Sequence, residues 1–206
     1  MTLALKLVIA FMLFTSGEVV FAQSSTPDFD ILKSRFDQGN IFIADFSHQY
    51  EDAYTGEVNR TSGRIWIGKE KYRVEGDDQI MIVDGQVSRV YDGGRNRLII
   101  SNYDETEDDY APSRMLQGVN DSYSVSERRA GSGTIITLTT QDVFAVFSEV
   151  RITLSSSGIP QSIEAIDQAD NLLRTTFTAS RFGSGNNSLF ELSVPDDAEI
   201  IDLRHH

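Results

Sequence analysis

Apolar residues recur at every second position along much of this chain. From Phe42 the pattern runs through Ala44, Phe46, His48 and Tyr50, with Ile43, Asp45, Ser47 and Gln49 between them. A period of two is that of a strand with one buried face. Residues 57–67 continue it, with Ile65 and Ile67 on one face and Trp66 on the other. Further strands are predicted at 72–75, 79–83, 87–91 and 97–102. Asp84-Gly85 separates two of these, and Asp92-Gly93-Gly94 separates two others, as tight hairpin turns do. Strands resume at 123–129, 133–139, 148–154, 162–167 and 172–181, and residues 189–195 with 199–202 read as a final strand and tail. About ten or eleven short strands with regular turns describe an antiparallel sheet or barrel.

Helical spacing is brief. Residues 28–36 place Ile31, Leu32, Arg35 and Phe36 near one face, with Asp28 or Asp30 as the N-cap. Residues 111–118 form a second short helix, with Met115 and Leu116 as apolar contacts and Gly118 as its stop. Residues 141–146 fit either a helical turn or an irregular bridge, and the acidic run at 104–109 reads as a solvated loop. Two segments break the alternation: Ile80-Met81-Ile82-Val83 and Leu98-Ile99-Ile100. Such strands are apolar on both faces. They fit a core on one side with a cavity or helical cover on the other, or a tightly packed sandwich.

The first residues have a different logic. Lys6 precedes an apolar run at 7–14, and Val20-Phe21-Ala22 offers small residues for a signal peptidase. The run falls well short of the ~20 apolar residues needed to span a bilayer. Residues 1–22 are therefore expected to be a signal peptide cleaved near Ala22, which implies export. Residues 23–28 follow as a flexible lead-in, 29–203 as a single domain, and 204–206 as a tail with His205 and His206.

Composition narrows the function. A chain of 206 residues suits one domain and can bury a full core. It has no cysteine, which excludes disulfides, a thiol nucleophile, a cysteine metal site and an acylated N-terminal cysteine. The net charge is −13, and loss of the leader removes one base and one acid and leaves it unchanged. Such acidity opposes a nucleic-acid partner. Apart from the terminal pair the only histidine is His48, which reads as structural or surface. There is no G-x-S-x-G elbow, Walker loop or G-x-G-x-x-G. No catalytic residue, cofactor or metal site is predicted. The acidic run lacks the ligand spacing of a calcium loop, and no acid pair stands out as that of a glycosidase.

Several segments together resemble the LolA family of periplasmic outer-membrane lipoprotein carriers, in that family's order. They are Phe42-x-Ala44-x-Phe46, then Ser62-Gly63-Arg64-Ile65-Trp66-Ile67, then residues 69–74. Ile82-Val83-Asp84-Gly85, Val90-Tyr91-Asp92 and Ala111-Pro112-x-x-Met115-Leu116 follow. The set closes with Leu189-Phe190-Glu191-Leu192-x-Val194-Pro195 and Glu199-Ile200-Ile201-Asp202. The resemblance covers roughly residues 29–203. It departs from the family at Lys69-Glu70, which stands for an Arg-Pro pair, and at Val194-Pro195-Asp196, which stands for a Pro-Pro segment.

The resemblance implies a mainly β fold: an unclosed antiparallel β-barrel with a lid of short α-helices over an apolar cavity. It implies a carrier, not an enzyme, that shields lipoprotein acyl chains between the inner and outer membranes. Expected partners are acylated lipoproteins or other lipids, an inner-membrane ABC lipoprotein-releasing transporter and an outer-membrane acceptor, with the carrier a monomer. The lipid-binding candidates are Phe42, Ala44, Phe46, Ile65, Ile67, Tyr72 and Val74, with Met115 and Leu116 from the lid. Lys69 is the candidate lid latch, and lysine lacks the planar fork of the family's arginine. A sensing regulator on the same fold is the alternative.

Overall fold

The computed structural model describes residues 25–108 and 110–204. The leader expected at 1–22, and His205 and His206, lie outside the described residues. The strands are β1 (Asn40–Glu51), β2 (Val58–Ile67), β3 (Tyr72–Glu75), β4 (Gln79–Val83), β5 (Val87–Asp92) and β6 (Arg97–Asn102). After a helical excursion come β7 (Ser124–Ala130), β8 (Gly133–Thr139), β9 (Phe147–Leu154), β10 (Pro160–Asp167), β11 (Leu172–Ser184) and β12 (Glu199–Asp202). All belong to one sheet in the order β12-β6-β5-β4-β3-β2-β1-β11-β10-β9-β8-β7. Every neighbouring pair is antiparallel except β12 and β6, which run parallel. The sheet's two ends, β7 and β12, are not paired with each other, so the barrel is unclosed.

The expected architecture is present with twelve strands where ten or eleven are predicted. One predicted strand is corrected. Residues 189–195 are not β: Asn187–Phe190 form a 3₁₀ turn, and irregular chain leads on to β12. The reason is a contact distant in sequence. The Arg73 guanidinium donates to the carbonyls of Leu189 and Glu191 at 3.0 and 3.1 Å, so these acceptors are taken by a side chain. Residues 141–146 resolve as an irregular bridge, in which Asp142 accepts from the Phe144 amide at 2.9 Å.

Helix α1 (Pro27–Asp37) starts inside the expected lead-in and buries Phe29, Leu32 and Phe36, whereas Ile31 is exposed. The expected aspartate caps are absent. Thr26 precedes the helix without a side-chain cap and Pro27 opens it. The free amides of Asp28 and Phe29 donate instead to the Glu127 carboxylate of β7, at 3.1 and 3.2 Å. A helix N-terminus favours such a negative partner. The Asp28 carboxylate in turn accepts from the Thr134 hydroxyl and pairs with Arg129 at 3.2 Å, which ties α1 to the β7–β8 edge. Helix α2 (Pro112–Gln117) ends at Gly118, whose φ of 117° suits glycine.

The two helices lie against one face of the sheet, the inner face, and the main core forms there. Phe42, Ala44, Ile65, Ile67, Ile136, Leu138, Val150, Ile152, Ile163, Ala165 and Phe177 share one cluster with Phe29, Leu32, Phe36, Met115 and Leu116. A bulge adjusts this face. Ile43 pairs with Arg181 but Asp45 pairs with Thr178, so β11 carries an extra residue, and Ala179 adopts φ 50°. The insertion resets the alternation of β11. Phe177 and Phe182, an odd number of residues apart, therefore both reach Phe42, with ring centroids 5.1 and 5.5 Å away.

Candidate functional site

Beyond the Phe42 layer the inner face is not filled. A cavity of about 290 Å³ lies between the sheet and α2. The period of two selects its walls: Phe46 and His48 from β1, Thr61 and Ile65 from β2, Val74 from β3, and Leu173, Thr175 and Phe177 from β11. Ile163 and Ala165 of β10 close one side, and Tyr110, Pro112 and Met115 form the cover. Gly63 keeps β2 and β3 close. A Cβ there would lie 1.8 Å from the Glu75 carbonyl oxygen, so no side chain can stand at that point.

Of the residues singled out in the sequence, Phe46, Ile65, Val74 and Met115 line this cavity. Phe42, Ala44, Ile67 and Leu116 are buried in the core around it. Tyr72 is buried in a smaller cluster with Val83 and Ala111. The division follows from packing: Phe177 and Phe182 fill the space over Phe42, and the row beyond is left open. Trp66 takes the outer face, where the guanidinium groups of Arg64 and Arg73 approach its ring at 6.0 and 5.7 Å.

The cover is held by a few polar contacts. The Tyr72 hydroxyl donates to Asp108 at 3.0 Å, and Tyr103 stands edge-on to Tyr72 at 6.3 Å. Burial, and then the Asp108 carboxylate, push both tyrosine hydroxyls far above their usual range, so both stay protonated as donors. The Gln117 amide of α2 donates to the Lys69 carbonyl at 2.8 Å. Arg114 donates to the Val119 carbonyl at 3.0 and 3.2 Å and to the Glu105 carbonyl, which folds the cover segment onto itself.

The Lys69 ammonium reaches Asp37 at the end of α1, at 3.0 Å, and both side chains are more than half exposed. That hydrogen bond raises the Lys69 pKa, but an exposed pair of this kind contributes little to stability. The Lys69 side chain thus meets α1, and its backbone carbonyl meets α2.

The acidic run is also more structured than a solvated loop. Asp104 accepts from the Thr106 amide at 2.9 Å and starts a 3₁₀ turn (Glu105–Glu107), and Asp108 receives Tyr72. Among the described residues no group of three His, Cys, Asp or Glu side chains gathers as a metal site.

Sequence reasoning missed His48. Its ring lies in the cavity wall, and Nδ1 is 2.9 Å from the Thr175 hydroxyl. Burial lowers its pKa and favours the neutral ring. The Nδ1 partner is thus a threonine hydroxyl and not a carboxylate. The signal was available, because His48 continues the Phe42-Ala44-Phe46 face.

The comparisons agree with this geometry. The family model for the outer membrane lipoprotein carrier protein LolA matches residues 38–193. No curated protein sequence matches the chain. A solved structure of an uncharacterised conserved protein from Thermus thermophilus superposes with a TM-score of 0.55 at 10% identity, over 84% of this chain and 98% of that one. That likeness shows a shared fold. A LolA superfamily protein from Nitrosomonas europaea gives 0.43 at 10% identity, over 79% and 97% of the two chains. A DUF1329 family protein from Desulfovibrio piger gives 0.41 at 12%, over 80% and 95%.

Proposed function

Because the chain belongs to the LolA family of outer membrane lipoprotein carrier proteins, we propose that it is a periplasmic lipid carrier. It shelters the acyl chains of lipoproteins and moves them from the inner towards the outer membrane. One observation carries the reading: an apolar cavity under a cover fastened by hydrogen bonds. Burying acyl chain stabilises by about 0.8 kcal/mol per CH₂, so even part of one chain is a substantial cargo. Release needs no bond cleavage, only an opened cover. Phe46, Ile65, Val74 and Met115 are the proposed lipid contacts. Phe42, Ala44, Ile67, Tyr72 and Leu116 shape the space behind them.

The volume adds a constraint. Pockets for small ligands run from about 300 to 1,000 Å³, and this cavity stands at the lower limit. A space of this size takes a single chain; a multiply acylated cargo requires the cover to move outward. The Lys69 side chain remains the candidate latch through Asp37, and the Lys69 carbonyl with Gln117 and Tyr72 with Asp108 are further fastenings. An inner-membrane ABC transporter would load the carrier, and an outer-membrane acceptor would unload it.

Native mass spectrometry of the mature protein from a membrane-containing host tests this reading. Co-purified lipid or lipoprotein at fixed stoichiometry is expected, and the Val74→Trp variant, which fills the cavity, should lose it. A lipid-free mass together with no uptake of a fluorescent acyl probe would overturn it.

A further inference from the structure

The cavity is not uniformly apolar. In the sheet register His48 of β1 stands opposite Thr61 of β2 on one side and Thr175 of β11 on the other. The three form a polar row across the central strands, and all three line the cavity. Nδ1 of His48 is engaged by the Thr175 hydroxyl at 2.9 Å. No described residue engages Nε2 or the Thr61 hydroxyl. The row beside it is apolar, since Phe46 pairs with Gly63 and Phe177.

We propose that Thr61, His48 and Thr175 form a carbonyl-binding subsite, which takes the ester carbonyl of an acyl lipid whose chain lies along Phe46, Ile65 and Met115. The proposal rests on the carrier reading above and deepens it. The subsite uses the tautomer in which Nδ1 accepts from the Thr175 hydroxyl, which leaves the ring proton on Nε2 as a donor into the cavity. Thr61 adds a second hydroxyl from the facing strand. The chemistry selects a neutral acceptor. No lysine or arginine is among the lining residues, so a phosphate or carboxylate in this space would lack a counter-charge. His48 and Thr175 are half-buried and Thr61 is exposed, so a chain laid over the row buries these groups on binding. A donor buried in that way without a partner is unfavourable, and the row discriminates against chains that bring no acceptor.

Two ligands that differ only in the carbonyl test this: monolauroylglycerol, an ester, and 1-O-dodecylglycerol, its ether. Each competes against a fluorescent acyl probe on the mature protein. The ester is expected to bind about tenfold more tightly, the value of one good hydrogen bond. His48→Leu should abolish that preference while the ether still binds, and Thr61→Val should reduce it. Failure of both ligands to bind would overturn the carrier reading and the subsite with it. Equal binding to the native protein, or a preference retained in His48→Leu, would overturn the subsite alone. Should His48→Leu not fold, nitrogen NMR of His48 in the native protein decides. Nε2 must shift with ester and not with ether, and any other pattern refutes the subsite.

Discussion

Strands β8–β10 and strands β4–β6 lie in one sheet but bury their residues in different ways. In β8–β10 the inner face holds Ile136, Leu138, Val150, Ile152, Ile163 and Ala165 under the helices. The outer face is a ladder of charge: Arg174 binds Glu164 at 2.7 Å, and Arg151 meets Glu164 at 3.7 Å and also pairs with Glu149. In β4–β6 both faces carry apolar residues. Ile82 pairs with Arg73 in register and therefore shares its outer face, yet it is fully buried. Leu98, on the same face, is buried too. The chain between β11 and β12 crosses back over this face as a strap, held at Arg73 and again where Asn96 donates to the Asp197 carbonyl at 3.3 Å. The inner side of these strands is left to the cover, with Val83 against Ala111, and to a half-exposed Met81. Clean alternation thus marks the half that holds the core, and unbroken apolar runs mark the half covered from both sides.

The contrast yields predictions of falling size. Phe42→Ala, at the meeting of two phenylalanines in the core half, should cost about 3–5 kcal/mol in urea unfolding. A loss below about 1 kcal/mol would mean that this layer is not the keystone of the core. Arg73→Ala removes the strap's anchor and its contact with Glu75. A loss of about 1–3 kcal/mol is expected, since its donors are charged. Hydrogen exchange should then quicken at the Glu199 and Leu203 amides, which bond to Asn96 and Ile100, and stay unchanged at Ile136 and Ile152. Equal acceleration in both halves would erase the distinction.

Asp108→Asn weakens the charged acceptor of Tyr72. It should change stability by only about 0.5–1.5 kcal/mol, yet speed the uptake of an acyl probe several-fold in stopped flow. Unchanged uptake would move the latch elsewhere.

The smallest effect concerns pH. Burial depresses the folded pKa of His48 below its ordinary 6.5. The unfolded chain therefore binds that proton first, and native stability declines as pH falls from 6.5 through the folded value. His48→Gln should flatten this part of the melting-temperature profile. An identical profile would place the proton-sensitive group elsewhere.

Much of this was legible in the chain. β3, β4, β6 and β8 have the bounds that their period and turn residues predict, because alternation and hairpin turns are local signals. The failures were all non-local. Glu127 caps α1 from about a hundred residues away, so the aspartates beside the helix looked like its caps. Arg73 takes the Leu189 carbonyl from more than a hundred residues away, on about the same scale as Glu127, so a strand-like apolar segment became a strap. The site was half visible for the same reason. Alternation names the inner face, and with it Phe46, Ile65 and Val74. Which rows are filled and which are open depends on a bulge at Ala179 and on how Phe182 is aimed. His48 was on the right face but was judged by its isolation as a titratable residue, not by its neighbours in register.

The parallel pairing of β12 with β6 has a consequence for the order of assembly. Glu199 stands opposite Arg97, so this ladder joins parts of the chain about a hundred residues apart. Contacts of such sequence separation form late and slowly. Until the C-terminus has been delivered, β6 presents an open row of amides and carbonyls, the kind of edge on which other chains add strands. A chain that folds as it is delivered from its N-terminus therefore passes through a stage in which its sheet is built but unsealed. During that interval the net charge of −13 is a safeguard, since like-charged copies repel one another before β12 arrives.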